Sequence, residues 1–124
     1  MKKTFLVVSL AAFCFSCSNS GDSGSKPAGG STADNPDYKK GLDLVAKSDC
    51  FGCHKITETS VGPAYNLIGQ KYENTEANVN LLAEKIQHGG SGNWGTVPMA
   101  AHAALSKEDA VAMAKYILLL KDEK

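Results

Sequence analysis

The chain has 124 residues, with 13 lysines and no arginine against 13 acidic residues, so its formal net charge is zero. That balance excludes the basic surface a nucleic-acid-binding protein needs. The apolar residues are dispersed, and no run reaches the ~20 residues of a membrane-spanning helix.

Lys2 and Lys3 precede an apolar run from Thr4 to Ser16. This is the charged start and short apolar centre of an export signal. It closes in Phe15-Ser16-Cys17-Ser18, a small residue before a cysteine, which resembles a loose bacterial lipobox. Cys17 would then be lipidated and become the mature N-terminus; the alternative is an ordinary signal cleaved nearby, with Cys17 incidental. Residues 1–17 are therefore expected to be a signal peptide. Residues 18–34 contain five Ser, four Gly and one Pro, and no large apolar side chain. Such a segment cannot offset its ordering entropy and reads as a flexible tether. Its average span would be roughly 20–25 Å, and about 60 Å at full stretch. Residues 35–124 form one small domain with limited core, for which a buried cofactor would supply apolar bulk.

Asn35-Pro36 opens a first helix, with Asn as N-cap and Pro in the first turn. Tyr38, Leu42 and Val45 follow at i, i+4 and i+7, and the helix is expected to run into the Cys50 region. Gly62-Pro63 precedes a short helical segment from Ala64 to about Tyr72, with Leu67 and Ile68 as its expected buried residues. Thr75 caps a third helix carrying Val79, Leu82 and Ile86, ended by Gly89-Gly90. A loop is expected from Ser91 to Leu105. Ser106 then opens a last helix, with Glu108 and Asp109 in its first turn, running to about Lys121. No alternating strand pattern is present, so the expected class is all-α: about four helices wrapped around one flat cofactor.

That cofactor is indicated by Cys50-Phe51-Gly52-Cys53-His54, the C-x-x-C-H pattern of c-type haem attachment. Two thiols add across the haem vinyl groups, and the adjacent imidazole becomes an axial iron ligand. One helical turn places positions i, i+3 and i+4 on one side. A structural zinc site would want four ligands, and the other cysteines, Cys14 and Cys17, lie in the apolar segment. A thioredoxin-like dithiol would want a preceding strand, which is missing. The second axial position decides between electron transfer and ligand chemistry, because imidazole plus thioether leaves no open site. Met113 sits in an apolar helix and reads as a core residue. Met99 sits in a Gly-rich loop after Pro98 and is the expected ligand; His88 and His102 are rivals.

Taken together, Cys50-Phe51-Gly52-Cys53-His54, Val61-Gly62-Pro63-Ala64-Tyr65, Gly92-Asn93-Trp94-Gly95-Thr96-Val97-Pro98-Met99, and Leu105-Ser106 entering a C-terminal helix resemble a small bacterial monohaem class I cytochrome c. The resemblance covers roughly residues 37–120. It implies a cytochrome c-like fold, one covalent haem c, and His54 and Met99 as iron ligands. It also implies that the Pro63 carbonyl accepts a hydrogen bond from His54 and that Trp94 hydrogen-bonds a haem propionate. Ala100 and Ala101 depart from the family, which often has proline soon after the methionine. The implied function is one-electron transfer in a bacterial respiratory or related chain, between membrane-bound donor and acceptor proteins. The expected location is the periplasmic side of a membrane, held there by the Cys17 lipid, or soluble in the periplasm. Competing readings are a haem enzyme or gas sensor with a vacant site, and a fixed cytochrome subunit of a respiratory complex.

Overall fold

Each helix begins where a side chain can satisfy its free N–H groups. In the computed structural model, which describes residues 32–124, the Asn35 side chain accepts from Asp37 N–H at 2.9 Å and starts α1, Pro36–Lys47. The Thr75 hydroxyl accepts from Asn78 N–H and starts α3, Glu76–His88. The Ser106 hydroxyl accepts from Asp109 N–H and starts α4, Lys107–Leu119. A short α2, Tyr65–Lys71, follows Ala64 without a side-chain cap. The signal segment and the tether as far as residue 31 lie outside the described residues. Thr32–Asp34, at the end of the expected tether, form a 3₁₀ turn against α1.

Two expectations about the path of the chain need correction. First, α1 does not run into the cysteine motif. It stops at Lys47, Asp49 takes a left-handed conformation (φ 56°), and Cys50–Gly52 form a 3₁₀ turn. The chain therefore turns sharply before the motif, and the turn closes through Cys53 and His54 N–H groups donating to the Cys50 carbonyl at 3.2 and 3.0 Å. Second, the loop after α3 contains an antiparallel hairpin, β1 Gly90–Gly92 with β2 Gly95–Met99, paired Gly90 to Met99 and Gly92 to Gly95. No alternation announces it because three of its residues are glycines at positive φ, at 131°, 101° and 119°. The hairpin rests on backbone freedom rather than on a buried face.

The fourth helix organises the core. α1, α2 and α3 all pack on α4, whose Ala110, Met113, Ala114, Tyr116, Ile117 and Leu118 are buried. Val45 from α1, Ile68 from α2, and Val79 and Ile86 from α3 complete the cluster. Leu67, expected inside, is 38% exposed; the buried face of α2 is Tyr65, Asn66, Ile68 and Gly69. α2 docks through polar contacts too, since Asn66 and Gln70 amides donate to the Glu123 and Lys121 carbonyls. Among the described residues, no helix is long and apolar enough to cross a membrane.

The α1–α4 crossing depends on Gly41. A Cβ there would collide with the Tyr116 Cβ and lie 2.5 Å from the Ala112 carbonyl oxygen. Neither is the end of a flexible side chain, so the helices would have to separate. Gly41→Ala gains about 1 kcal/mol of helix propensity, yet overpacking of this kind costs about 1–3 kcal/mol. The variant is expected to be less stable than wild type. Urea denaturation of the haem-loaded protein checks this: the midpoint should fall with an unchanged slope. A higher midpoint would show that propensity wins and that the crossing is loose.

Candidate functional site: the haem cavity

The segment after the cysteine motif folds back along it. Gly62 N–H donates to the Cys53 carbonyl at 2.9 Å, Tyr65 N–H to Lys55 at 2.9 Å, and Asn66 N–H to Ile56 at 2.9 Å. These bonds bring the Pro63 carbonyl to 2.7 Å from His54 Nδ1. A carbonyl can only accept, so Nδ1 carries the proton and Nε2 keeps its lone pair. His54 is only 9% exposed. Gly62 lies flat against the imidazole: a Cβ there would stand 2.5 Å from Cε1 and 2.9 Å from Nδ1. The Tyr65 ring stacks near-parallel to the imidazole, with centroids 5.3 Å apart and planes at 12°. Tyr65 in turn meets Phe51 and Tyr116 edge-on. The histidine is thus fixed in tautomer and in orientation.

The cavity beside it measures about 450 Å³. Cys50, Cys53, His54, Pro63, Trp94 and Met99, scattered over 50 positions of sequence, all line it. Val45, Ile68, Leu82, Ile86, Met113 and Ile117 supply apolar walls from all four helices. Met99, the last residue of β2, is half-buried against the core. His88 does not line the cavity; its ring lies on the surface of α3 beside Glu84. His102 does line it. Cys50 is half-buried and Cys53 exposed, both as free thiols. Burial pushes the Cys50 thiol above its ordinary range, against the opposing pull of a hydrogen bond with Tyr65. Burial likewise carries the Tyr65 phenol far above its ordinary range, with the nearby Cys50 adding to it, so Tyr65 is neutral at physiological pH.

Four contributors were not assigned a role from the sequence. Gly62 and Tyr65 pack on the imidazole. Lys71, at the end of α2, reaches the hairpin: its ammonium lies 4.4 Å from the Trp94 ring centroid and donates to the Asn93 carbonyl at 3.0 Å. Lys85 is the only lysine among the described residues that lines the cavity. Its signal in the sequence was a cation at i+3 from Leu82, on the apolar face of α3; Gly62 and Tyr65 stand in the Val61–Tyr65 motif but their contacts with the imidazole are not readable from it, and Lys71 carries no sequence signal.

The lining fits a haem. Two thiols, an imidazole with a free lone pair and a thioether line one largely apolar cavity. The comparisons agree. The Cytochrome c family model matches residues 38–121, and the chain belongs to that family. It is 42% identical over 79 residues to cytochrome c-552 of Nitrosomonas europaea, covering 64% of this chain and 77% of that protein. It is 40% identical over 77 residues to cytochrome c-551 of Allochromatium vinosum, covering 62% and 82%. The crystal structure of wild-type N. europaea cytochrome c552 superposes with a TM-score of 0.60 at 40% identity, over 64% of this chain and 98% of that one. Membership makes the protein an electron carrier rather than an enzyme, with one covalently bound haem c.

The Lys71 contacts tie the hairpin tip to α2. Lys71→Ala should speed amide hydrogen exchange across residues 90–99 while lowering global stability by no more than about 1 kcal/mol, the scale of an exposed cation–π contact. Exchange mass spectrometry checks this; equal protection in both proteins would mean that the strand pairing alone holds the hairpin.

Proposed function

We propose that Cys50 and Cys53 hold the haem as thioethers, that His54 Nε2 and the Met99 sulfur are its two axial ligands, and that the protein shuttles single electrons between membrane-bound partners on the periplasmic side of a bacterial membrane. The observation that carries this is the 2.7 Å hydrogen bond between His54 Nδ1 and Pro63, which leaves Nε2 bare in a cavity that Met99 also lines. When bound, the haem supplies a ferrous–ferric couple whose potential a thioether ligand raises.

The chain's own residues then do three things. Pro63 and Gly62 hold the imidazole still, so little rearranges as charge changes. The apolar walls keep water away, which further limits solvent reorganisation. Trp94, whose ring face is covered by Lys71, has its indole N–H to donate to a propionate. Around the cavity, Val61, Val97 and Trp94 are 59%, 60% and 42% exposed. An apolar rim of this size suits a brief encounter, with a small buried interface, better than permanent docking.

The ligand assignments are tested on the purified haem protein. Denaturing electrophoresis with a haem-peroxidase stain should show a band for wild type and none for the Cys50→Ser, Cys53→Ser double variant. Met99→Ala should remove the weak near-infrared methionine–iron band, lower the potential, and admit carbon monoxide to ferrous iron. If all three stay as in wild type, another residue is the ligand.

We further propose export by residues 1–17 and lipidation at Cys17, with the tether letting the domain swing between partners; these residues lie outside the described ones, and Lys2, Lys3 and Ser16-Cys17 support the reading. Acyl chains on one cysteine, at about 0.8 kcal/mol per buried methylene, hold a small domain on a membrane. Cys17→Ser is expected to release a soluble, haem-loaded protein on membrane fractionation. An unmodified mature N-terminus beyond Cys17, seen by mass spectrometry, would instead identify a freely soluble periplasmic carrier.

A further inference from the structure

Tyr65 meets two of the side chains that would hold the haem. Its phenol shares a hydrogen bond with the Cys50 sulfur. Its ring lies on the His54 imidazole, with centroids 5.3 Å apart and planes at 12°. Tyr65 itself has little freedom. It is 2% exposed, and Phe51 and Tyr116 close on its ring edge-on at 5.9 and 6.4 Å. Its N–H is tied to the carbonyl of Lys55, the residue after the histidine, at 2.9 Å.

Each contact does something that the rest of the site leaves undone. The 2.7 Å bond from His54 Nδ1 to Pro63 fixes one corner of the imidazole. A single hydrogen bond tolerates about 30° of bending before it weakens. It therefore leaves the ring some freedom to swing about an iron–nitrogen axis. Gly62 borders the Cε1–Nδ1 edge. Tyr65 presents a flat surface to the ring face and stops the swing.

At the sulfur, the direction of the hydrogen bond is forced. The free Cys50 thiol donates to the Ser48 carbonyl at 3.6 Å, so it accepts from the phenol. Thioether formation takes the sulfur's proton and leaves its lone pairs. The bond to Ser48 is then lost, and the Tyr65 O–H remains as the sulfur's donor. Burial of Tyr65 keeps water from competing for it.

In a ferric haem protein, the plane of the axial imidazole selects which iron d orbital carries the vacancy. A donor to a haem-bound sulfur draws electron density from the macrocycle and favours the ferrous state. Both are ways in which groups around the ligands tune a metal. We infer that Tyr65 is a positioning residue for electron transfer: its ring holds the imidazole plane, and its phenol raises the potential by donating to the Cys50 sulfur. The inference rests on haem attachment at Cys50 and ligation by His54.

The test uses the full-length, haem-loaded protein. A haem-stained wild-type band checks attachment separately; without it, that reading and this one both fall. Tyr65→Phe keeps the ring and loses the hydroxyl. It should keep the wild-type order of haem-methyl shifts in the ferric proton magnetic resonance spectrum. Its potential should be lower, moving the ferrous-to-ferric ratio at a fixed applied potential about threefold, or about 28 mV for one electron. Tyr65→Leu loses the ring as well. It should reorder the methyl shifts while the methionine–iron band is retained. Two further signals need no variant. In the ferrous wild type, cross-peaks should join the Tyr65 ring protons to the His54 imidazole protons. A slowly exchanging Tyr65 hydroxyl proton should likewise show a cross-peak to the Cys50 β-protons. An unchanged potential in Tyr65→Phe, or the wild-type methyl order in Tyr65→Leu, overturns the inference. So does the absence of either cross-peak, even where Tyr65→Leu does not fold.

Discussion

The hydrogen bond from His54 to the Pro63 carbonyl organises this domain more than any other single contact. It links two backbone segments nine residues apart, and the bonds on either side of it hold that link in register. The same fold-back delivers Tyr65 onto the imidazole and, through Tyr65, onto Tyr116 of α4. The Tyr116 phenol is itself raised to about 12 by burial, so both tyrosines are uncharged at neutral pH. Orientation of one ring is thereby coupled to packing of the helix on which the other three helices rest.

The other side of the site is built on different physics. Met99 is carried by a hairpin whose strands are mostly exposed and whose turns rely on glycines at positive φ. Its anchors are few. Gly89, at φ 69°, lets the end of α3 approach the Met99 carbonyl more closely than any Cβ would allow. Lys71 pins the tip through Asn93 and Trp94. The cavity thus combines a rigidly held histidine with a lightly tethered methionine. The exposed Val61, Val97 and Trp94 also line the cavity.

Much of this was legible in the sequence because it is local. The C-x-x-C-H spacing specifies thiol and imidazole chemistry within five residues. The caps at Asn35, Thr75 and Ser106 are one-residue signals for helix starts, and each is realised as a hydrogen bond. Leu67 and the β1–β2 hairpin were misread for a shared reason. Leu67 sits in a seven-residue helix, too short for periodicity to define a face. The hairpin is a backbone structure made possible by glycine, and glycine has no side chain with which to form a pattern.

The sequence by itself determined the cofactor chemistry, the helix starts and the candidate ligands, since these depend on residue type and on spacings within one or two turns. Only the tertiary structure decided which nitrogen of His54 is left bare, because that depends on a carbonyl nine residues away. It alone put Gly41 under Tyr116, Lys71 on Trp94, and His102 rather than His88 on the cavity wall. Each of these is a meeting of segments from different elements. Such meetings are set by how four helices close on one another, and no stretch of chain shorter than the whole domain encodes that closure.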